Sequence, residues 1–238
     1  LRGDERGLVS SVYGGGDIQR AVSLGPLKAP GCDGFPTRFY QRNWAVLKDE
    51  IVAAVQEFFT TSVMPDGVND TSIVLIPKVP HPRELKDFRP ISLCNVVYKI
   101  VSKCMVNRLR PLLTELISEN QSASIPGRLI SYNSIIAFEC IHHIQNAKAN
   151  SQSLCAYKLD LSKAYDRVDW NFLQRALSKW GFSDEWISRV MACATYMKYS
   201  IKFNGKSLER FSPSRGLRQG DPLSPFLFLF VAELFLFC

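Results

Sequence analysis

Residues 154–161 alternate strictly: Cys155, Tyr157, Leu159 and Leu161 fall on one face of an extended chain, and Leu154, Ala156, Lys158 and Asp160 on the other. The pattern predicts a strand packed on one side, with a carboxylate, Asp160, at its exit. A chain with such a strand needs a sheet with one covered face, which confines it to folds that mix sheet and helix or are built of sheet alone. A hard anionic oxygen on rigid backbone is a ligand for Mg²⁺. Spacing alone leaves open the other use of a strand-end aspartate, which is to cap a turn or to face water.

The rest of the chain supplies helices. Leu47, Ile51, Ala54, Val55 and Phe58 predict a helix through about Phe59, ended by the turn residues Met64-Pro-Asp-Gly67. Ser72–Ile76 reads as a strand closed by Pro77, Lys78 and Pro80. A long helix is expected from near Asn95 to Leu109 with Val97, Ile100, Val101, Cys104 and Met105 inward, and another amphipathic one over Ser134–Ile144. Asp169 and Ser183 are N-cap residues, the first before a stripe of Leu173, Ala176, Leu177 and Trp180, the second before Ile187, Val190, Met191 and Ala194. Asn204-Gly205, between Tyr199–Phe203 and Ser207–Phe211, signals a type I′ hairpin. Pro222 opens a last apolar helix, and Leu1–Ile18 is polar and glycine-containing, with little order expected at its start. Without repeats or a low-complexity linker, the fold class is α+β in one continuous unit.

Composition narrows the partners. The chain has 238 residues, 29 Lys and Arg against 22 Asp and Glu, and a net charge of +7, a moderate excess that favours polyanions, nucleic acid first. Its seven cysteines lack a Cys-x-x-Cys pair and read as reduced thiols packed as small hydrophobes. His81, His142 and His143 have no zinc-ligand spacing to them. The most apolar stretch, Phe226–Ala232, is broken by Glu233 and is too short to span a bilayer, so no membrane partner is expected.

Two complete strings change this reading: Lys158-Leu-Asp-Leu-Ser-Lys-Ala-Tyr-Asp-Arg-Val-Asp-Trp170 and Gly216-Leu-Arg-Gln-Gly-Asp-Pro-Leu-Ser-Pro225. They resemble polymerase motifs A and B of the reverse transcriptases of non-LTR (LINE-type) retrotransposons, particularly plant ones. Leu24-Gly-Pro-Leu-Lys-Ala-Pro-Gly-Cys-Asp-Gly-Phe35, Leu75-Ile-Pro-Lys78, Phe88-Arg-Pro-Ile-Ser-Leu93 and Gln121-Ser-Ala-Ser-Ile-Pro-Gly-Arg128 resemble further segments of the same enzymes in the same order, from roughly Leu24 to Glu233. Ser124 departs from the family, which generally has a bulky aromatic there, and puts the local packing in doubt. The residues after Glu233 diverge as well, and no Phe/Tyr-Ala-Asp-Asp string occurs before the last residue, Cys238.

The resemblance implies right-hand polymerase fingers and a partial palm without a thumb, with residues 1–70 as an extension preceding the fingers and 71–238 as the reverse transcriptase domain. It implies RNA-directed DNA synthesis on an RNA template from a DNA primer, with deoxynucleoside triphosphates and Mg²⁺, in the nucleus, and no obligate protein partner. Asp160 would be the catalytic metal ligand, joined by the backbone carbonyl of Leu161. Arg89 would clamp the triphosphate, Tyr165 would act as a steric gate against the ribose 2′-hydroxyl, and Gln219 and Gly220 would contact the incoming nucleotide. Lys78, Arg215 and Arg218 would touch template or primer phosphates, and the Leu24–Phe35 loop the template. The residues alone allow plainer roles: Tyr165 as a core tyrosine, Asp166 as an ion-pair or turn residue, Asp169 as a cap, the arginines as solvated charges, and Leu24–Phe35 as an ordinary surface loop. Two ions about 4 Å apart need several carboxylates, so the chain as it stands is expected to be inactive. The alternatives are a non-catalytic nucleic-acid-binding remnant of a retroelement and a related polymerase, either of the group II intron maturase kind or a viral RNA-dependent one. Tyr165 argues against an enzyme that uses ribonucleotides, and the Ala-Pro-Gly-Cys-Asp-Gly loop against the maturase.

Overall fold

The structure, a computed structural model, describes residues 15–147 and 154–236; the expectation for the first fourteen residues lies outside them. Its first element is α1 (Gly15–Val22), a helix that starts inside the stretch expected to carry little order. Ile18, Ala21 and Val22 are buried, and this apolar face holds the helix in place despite its glycines. The short α2 (Thr37–Arg42) leads into α3 (Trp44–Thr61), which buries Ile51, Val55, Phe58 and Phe59 and ends on Ser62 in the left-handed region, its amide bonded to the Phe58 carbonyl.

A hairpin follows, β1 (Thr71–Pro77) and β2 (Phe88–Cys94), paired antiparallel from Thr71 with Cys94 to Pro77 with Phe88. Pro90 falls inside β2 although proline cannot donate to a ladder. The proline is accommodated because β2 is an edge of the sheet, whose order is β2-β1-β3-β4. At the tip, the Asp87 carboxylate accepts the Arg83 and Glu84 amides, which hold its carboxyl below the usual carboxylate range.

α4 (Val96–Leu109) is the central helix. Tyr98, Lys99, Ile100, Val101, Ser102, Cys104, Met105 and Val106 are all buried, so it is covered on nearly every face rather than on the single face expected, and Val97 is only partly covered. Past the short α5 (Leu113–Leu116), the 121–128 loop is stitched by Arg128, which donates to the carbonyls of Ser118, Gln121 and Ile117. Ser124 lies exposed there at φ 62, so the missing aromatic leaves no hole in the core.

α6 (Ile130–Asn146) buries none of its residues, and Ile135, Ile136, Phe138 and Ile141 face solvent, so the amphipathic face expected over 134–144 has no apolar cover among the described residues. The strand expected at 154–161 is not formed either. The segment has no regular structure, and Leu154, Tyr157, Leu159 and Leu161 are exposed. Alternation is not enough for a strand; the backbone must pair, and no described strand runs beside this one.

α7 (Trp170–Lys179) and α8 (Asp184–Thr195) start where expected, with the Asp169 carboxylate accepting the Phe172 amide and the Ser183 hydroxyl the Trp186 amide. β3 (Tyr199–Phe203) pairs parallel with β1 and turns through Asn204 (φ 47) and Gly205 (φ 78) into β4 (Lys206–Ser207). The second arm is shorter than expected, continued by the Leu208 amide bonded to the Ile201 carbonyl and by a bridge from Phe211 to Tyr199. α9 (Ser224–Leu236) begins just after Pro222 and packs on α7, with Phe230 edge-on to Trp180 and Phe182. One buried core runs from Ile18 to Phe230 and includes the helices before residue 71. No helix among the described residues is long and apolar enough to cross a membrane.

Candidate active site

The loop 216–221 docks onto the free edge of β2. The Ser92 amide, which has no strand to pair with on that side, donates to the Gln219 carbonyl at 2.8 Å. Gly220 makes this approach possible: its φ is 109, and a Cβ there would stand 3.0 Å from the Ser92 carbonyl oxygen. On its other flank the loop is tied to the segment after Asp160. The Leu217 amide donates to the Tyr165 carbonyl, the Gly216 amide to Val168, and the Trp170 indole to the Gly216 carbonyl, each at 2.8 Å.

Beneath the loop lies a charged cluster that the sequence did not reveal. Arg218 is 2% exposed. Its guanidinium donates to Asn69 Oδ1, Thr71 Oγ1 and the Cys193 carbonyl, pairs with Asp221 at 3.4 Å, and lies 4.0 Å over the Tyr98 ring. Asp221, also buried, accepts the Tyr98 hydroxyl at 2.8 Å and the Leu223 amide at 3.0 Å. Burial pushes the Tyr98 hydroxyl well above the ordinary tyrosine range, so it stays a donor. The expectation of Arg218 as a phosphate contact fails here, because its donors are turned inward and occupied. The signal that could have raised it is the pair of opposite charges three residues apart, bracketing Gln219-Gly220.

Tyr165 sits on a single 3₁₀ turn (Tyr165–Arg167), half-buried and stacked on Phe228 with ring centroids 4.9 Å apart. Burial raises its hydroxyl pKa. Arg89 is exposed on β2 opposite Ile76, and the Lys78 amide extends the same ladder by bonding the Asp87 carbonyl. Register therefore puts Lys78 and Arg89 on one face at the hairpin tip. Lys78 Nζ reaches the Lys86 carbonyl. Arg215 is exposed at the mouth of the loop, and Gln219 is half-buried. The Leu24–Phe35 loop docks on the start of α4: Lys99 Nζ donates to the Ala29 carbonyl, Asn95 Oδ1 accepts the Asp33 amide, and a Cβ on Gly31 would collide with Asn95.

The family described as reverse transcriptase (RNA-dependent DNA polymerase) matches residues 76–236. The chain belongs to that family. Among curated proteins this reverse transcriptase chain is 32% identical over 221 residues to the transposon TX1 uncharacterized 149 kDa protein of Xenopus laevis, covering 92% of the chain and 17% of that protein. It is 28% identical over 170 residues to the retrovirus-related Pol polyprotein from type-2 retrotransposable element R2DM of Drosophila melanogaster, covering 71% of the chain and 16% of the polyprotein. A retrovirus-related Pol polyprotein from type-1 retrotransposable element R2 of Nasonia vitripennis is 27% identical over 200 residues, 84% of the chain and 19% of the polyprotein. The chain thus spans under a fifth of each of these relatives. The resemblance to non-LTR retrotransposon enzymes, read from the motifs, is borne out.

Enzymes of this family generally use divalent metal ions. The donors among the described residues do not fit a complete ion site. Asp160 is exposed, the Leu161 carbonyl is beside it, and the Asp169 carboxylate is taken as a helix cap. Among the described residues no three His, Cys, Asp or Glu side chains converge. Loop 216–221 therefore joins the turn of Tyr165 to Ser92 of β2, the strand that carries Arg89, and Asp160 lies on a segment paired with no described strand.

Proposed function

We propose that this reverse transcriptase domain binds a deoxynucleoside triphosphate and an RNA template paired to a DNA primer, and extends the primer 3′ end. The observation that carries the reading is the double docking of loop 216–221, which brings three separate strings to one place: β2 with Arg89, the turn with Tyr165, and Gln219-Gly220. Arg89, exposed on β2, offers paired donors to phosphate oxygens. The half-buried ring of Tyr165 serves to exclude a ribose 2′-hydroxyl. Gly220 lets a nucleotide approach bare backbone while Gln219 keeps its amide side chain for the sugar or phosphates. Lys78 and Arg215 serve as template or primer contacts, and Leu24–Phe35, fixed on α4, is a template-facing element. In right-hand terms the β1–β2 hairpin belongs to the fingers and loop 216–221 with α7 to α9 to a partial palm. Helices before residue 71 form an extension docked on that unit, and the nucleus is the expected compartment. Asp160, with the Leu161 carbonyl, would be one ligand for Mg²⁺. A single carboxylate does not hold two ions, so positioning and discrimination are the tasks these residues perform by themselves.

The test is primer extension by a chimera that adds the two further carboxylates the family resemblance implies. Asp160→Asn removes a negative ligand at constant volume and should lower the rate about 10³-fold or more, at ~1.4 kcal/mol per tenfold. Extension within tenfold of the parent contradicts the assignment.

A further inference from the structure

A cleft of about 580 Å³ opens where the C-terminal end of α4 meets α1 and the 121–128 loop, lined by Arg20, Asn107, Arg108, Arg110, Pro111 and Pro126. It is not part of the site above. Tyr98, which bonds Asp221, is in the first turn of α4, and Arg110 lies twelve residues on, about 18 Å along a helix at ~1.5 Å per residue.

Positive charge gathers around it. Lys103 stands on α4 two turns before Arg110, and Lys28 comes across from the Leu24–Phe35 loop. Burial first, then the like charges of Arg110 and Lys28, hold the Lys103 ammonium below its ordinary pKa. Among the described residues none of Arg20, Lys28, Lys103 and Arg110 is in an ion pair. Four cations that no described carboxylate pairs with raise the local potential and favour a polyanion. The shape is as telling as the charge. Cys104, Pro111 and Pro126 make apolar walls, guanidinium planes offer stacking faces, and the exposed Asn107 presents both a donor and an acceptor. Flat rings flanked by phosphates match this combination. In a duplex those rings are stacked inside and cannot enter a cleft, whereas in a single strand they are free.

We propose that this cleft is a second nucleic-acid site, one that takes a base of a single strand between its proline walls while Arg20, Lys103 and Arg110 hold the neighbouring phosphates. It stands on charge and shape and does not require the polymerase reading.

The experiment measures fluorescence anisotropy of a labelled oligouridylate with the purified 238-residue chain across a salt series, beside an RNA duplex of equal length. Arg20→Gln/Arg110→Gln should weaken single-strand binding about tenfold at low salt. The same change should flatten the logarithmic salt slope by about 1.4, at ~0.7 for each phosphate no longer neutralised. Asn107→Phe keeps every charge but fills the cleft, and should weaken binding with the slope unchanged. Lys179→Gln, an exposed lysine on α7, should change neither. Circular dichroism establishes that each variant is folded. The proposal is overturned if the parent does not bind, if the double variant stays within twofold of it, if Asn107→Phe has no effect, if the duplex binds as tightly as the single strand, or if an acidic peptide displaces the RNA at equal concentration.

Discussion

Gly216 to Asp221 and Leu154 to Leu161 carry the two halves of the proposed site, and the fold treats them in opposite ways. The first segment gives its amides and carbonyls to β2 and to the 165–170 turn, and rests on a buried arginine with partners on every side. The second is exposed from end to end, and its backbone pairs with no described strand. The half proposed to face the nucleotide is thus assembled by contacts within these residues, while no described strand positions Asp160. Preorganisation is therefore a property of the loop in this chain, and the carboxylate would need backbone pairing to acquire it.

Deleting the loop's foundation should show the contrast most strongly. Arg218→Ala leaves Asp221 and Asn69 buried without their partner, a change that costs about 3–5 kcal/mol when one side of a buried ion pair is removed. Asp160→Asn, on exposed and unpaired chain, should stay within about 0.5 kcal/mol of the parent. Urea unfolding of both variants measures the difference, and equal losses would erase the distinction between the two regions.

A smaller effect is expected at Gly220. An alanine there keeps the surroundings but faces a strained φ and the Ser92 carbonyl oxygen at 3.0 Å. Strain of that kind costs about 1–3 kcal/mol. The midpoint of unfolding should fall between those of the two variants above; no change would mean that the close docking on β2 is not maintained in solution.

How far the sequence reveals these differences depends on how local the cause is. The Asp169 and Ser183 caps and the Asn204-Gly205 hairpin were readable because each depends on residues within three positions. α3 and α4 were readable from periodicity, but the nearly complete burial of α4 was not, since it depends on which elements surround it. β2 is not legible from the sequence, because Pro90 suits a strand only at an edge and the edge is set by topology. The expectation that Arg218 contacts phosphate fails for a stronger reason: its buried partners Asn69 and Thr71 lie 149 and 147 residues away in the chain. At 154–161 the pattern was plain and the strand did not form, because a ladder has two sides and the sequence of one says nothing of the other.

Smaller again is the stacking contribution expected at Tyr165. Tyr165→Ala removes the ring stacked on Phe228, worth about 0.5–1.5 kcal/mol beyond its buried area. In the extending chimera it should raise ribonucleotide use relative to deoxynucleotide several-fold. An unchanged ratio in a folded variant would make Tyr165 a packing residue only, and narrow the organised half of the site to the loop and β2.

The most direct test is amide hydrogen exchange on the chain itself. The Ser92, Gly216 and Leu217 amides, bonded to Gln219, Val168 and Tyr165, should exchange only through large-scale opening, with protection near that of the central helix α4. The amides of residues 155–161 should exchange close to the rate of an unstructured peptide. Strong protection across 155–161, or exchange at Ser92 and Leu217 as fast as in that segment, would contradict the account.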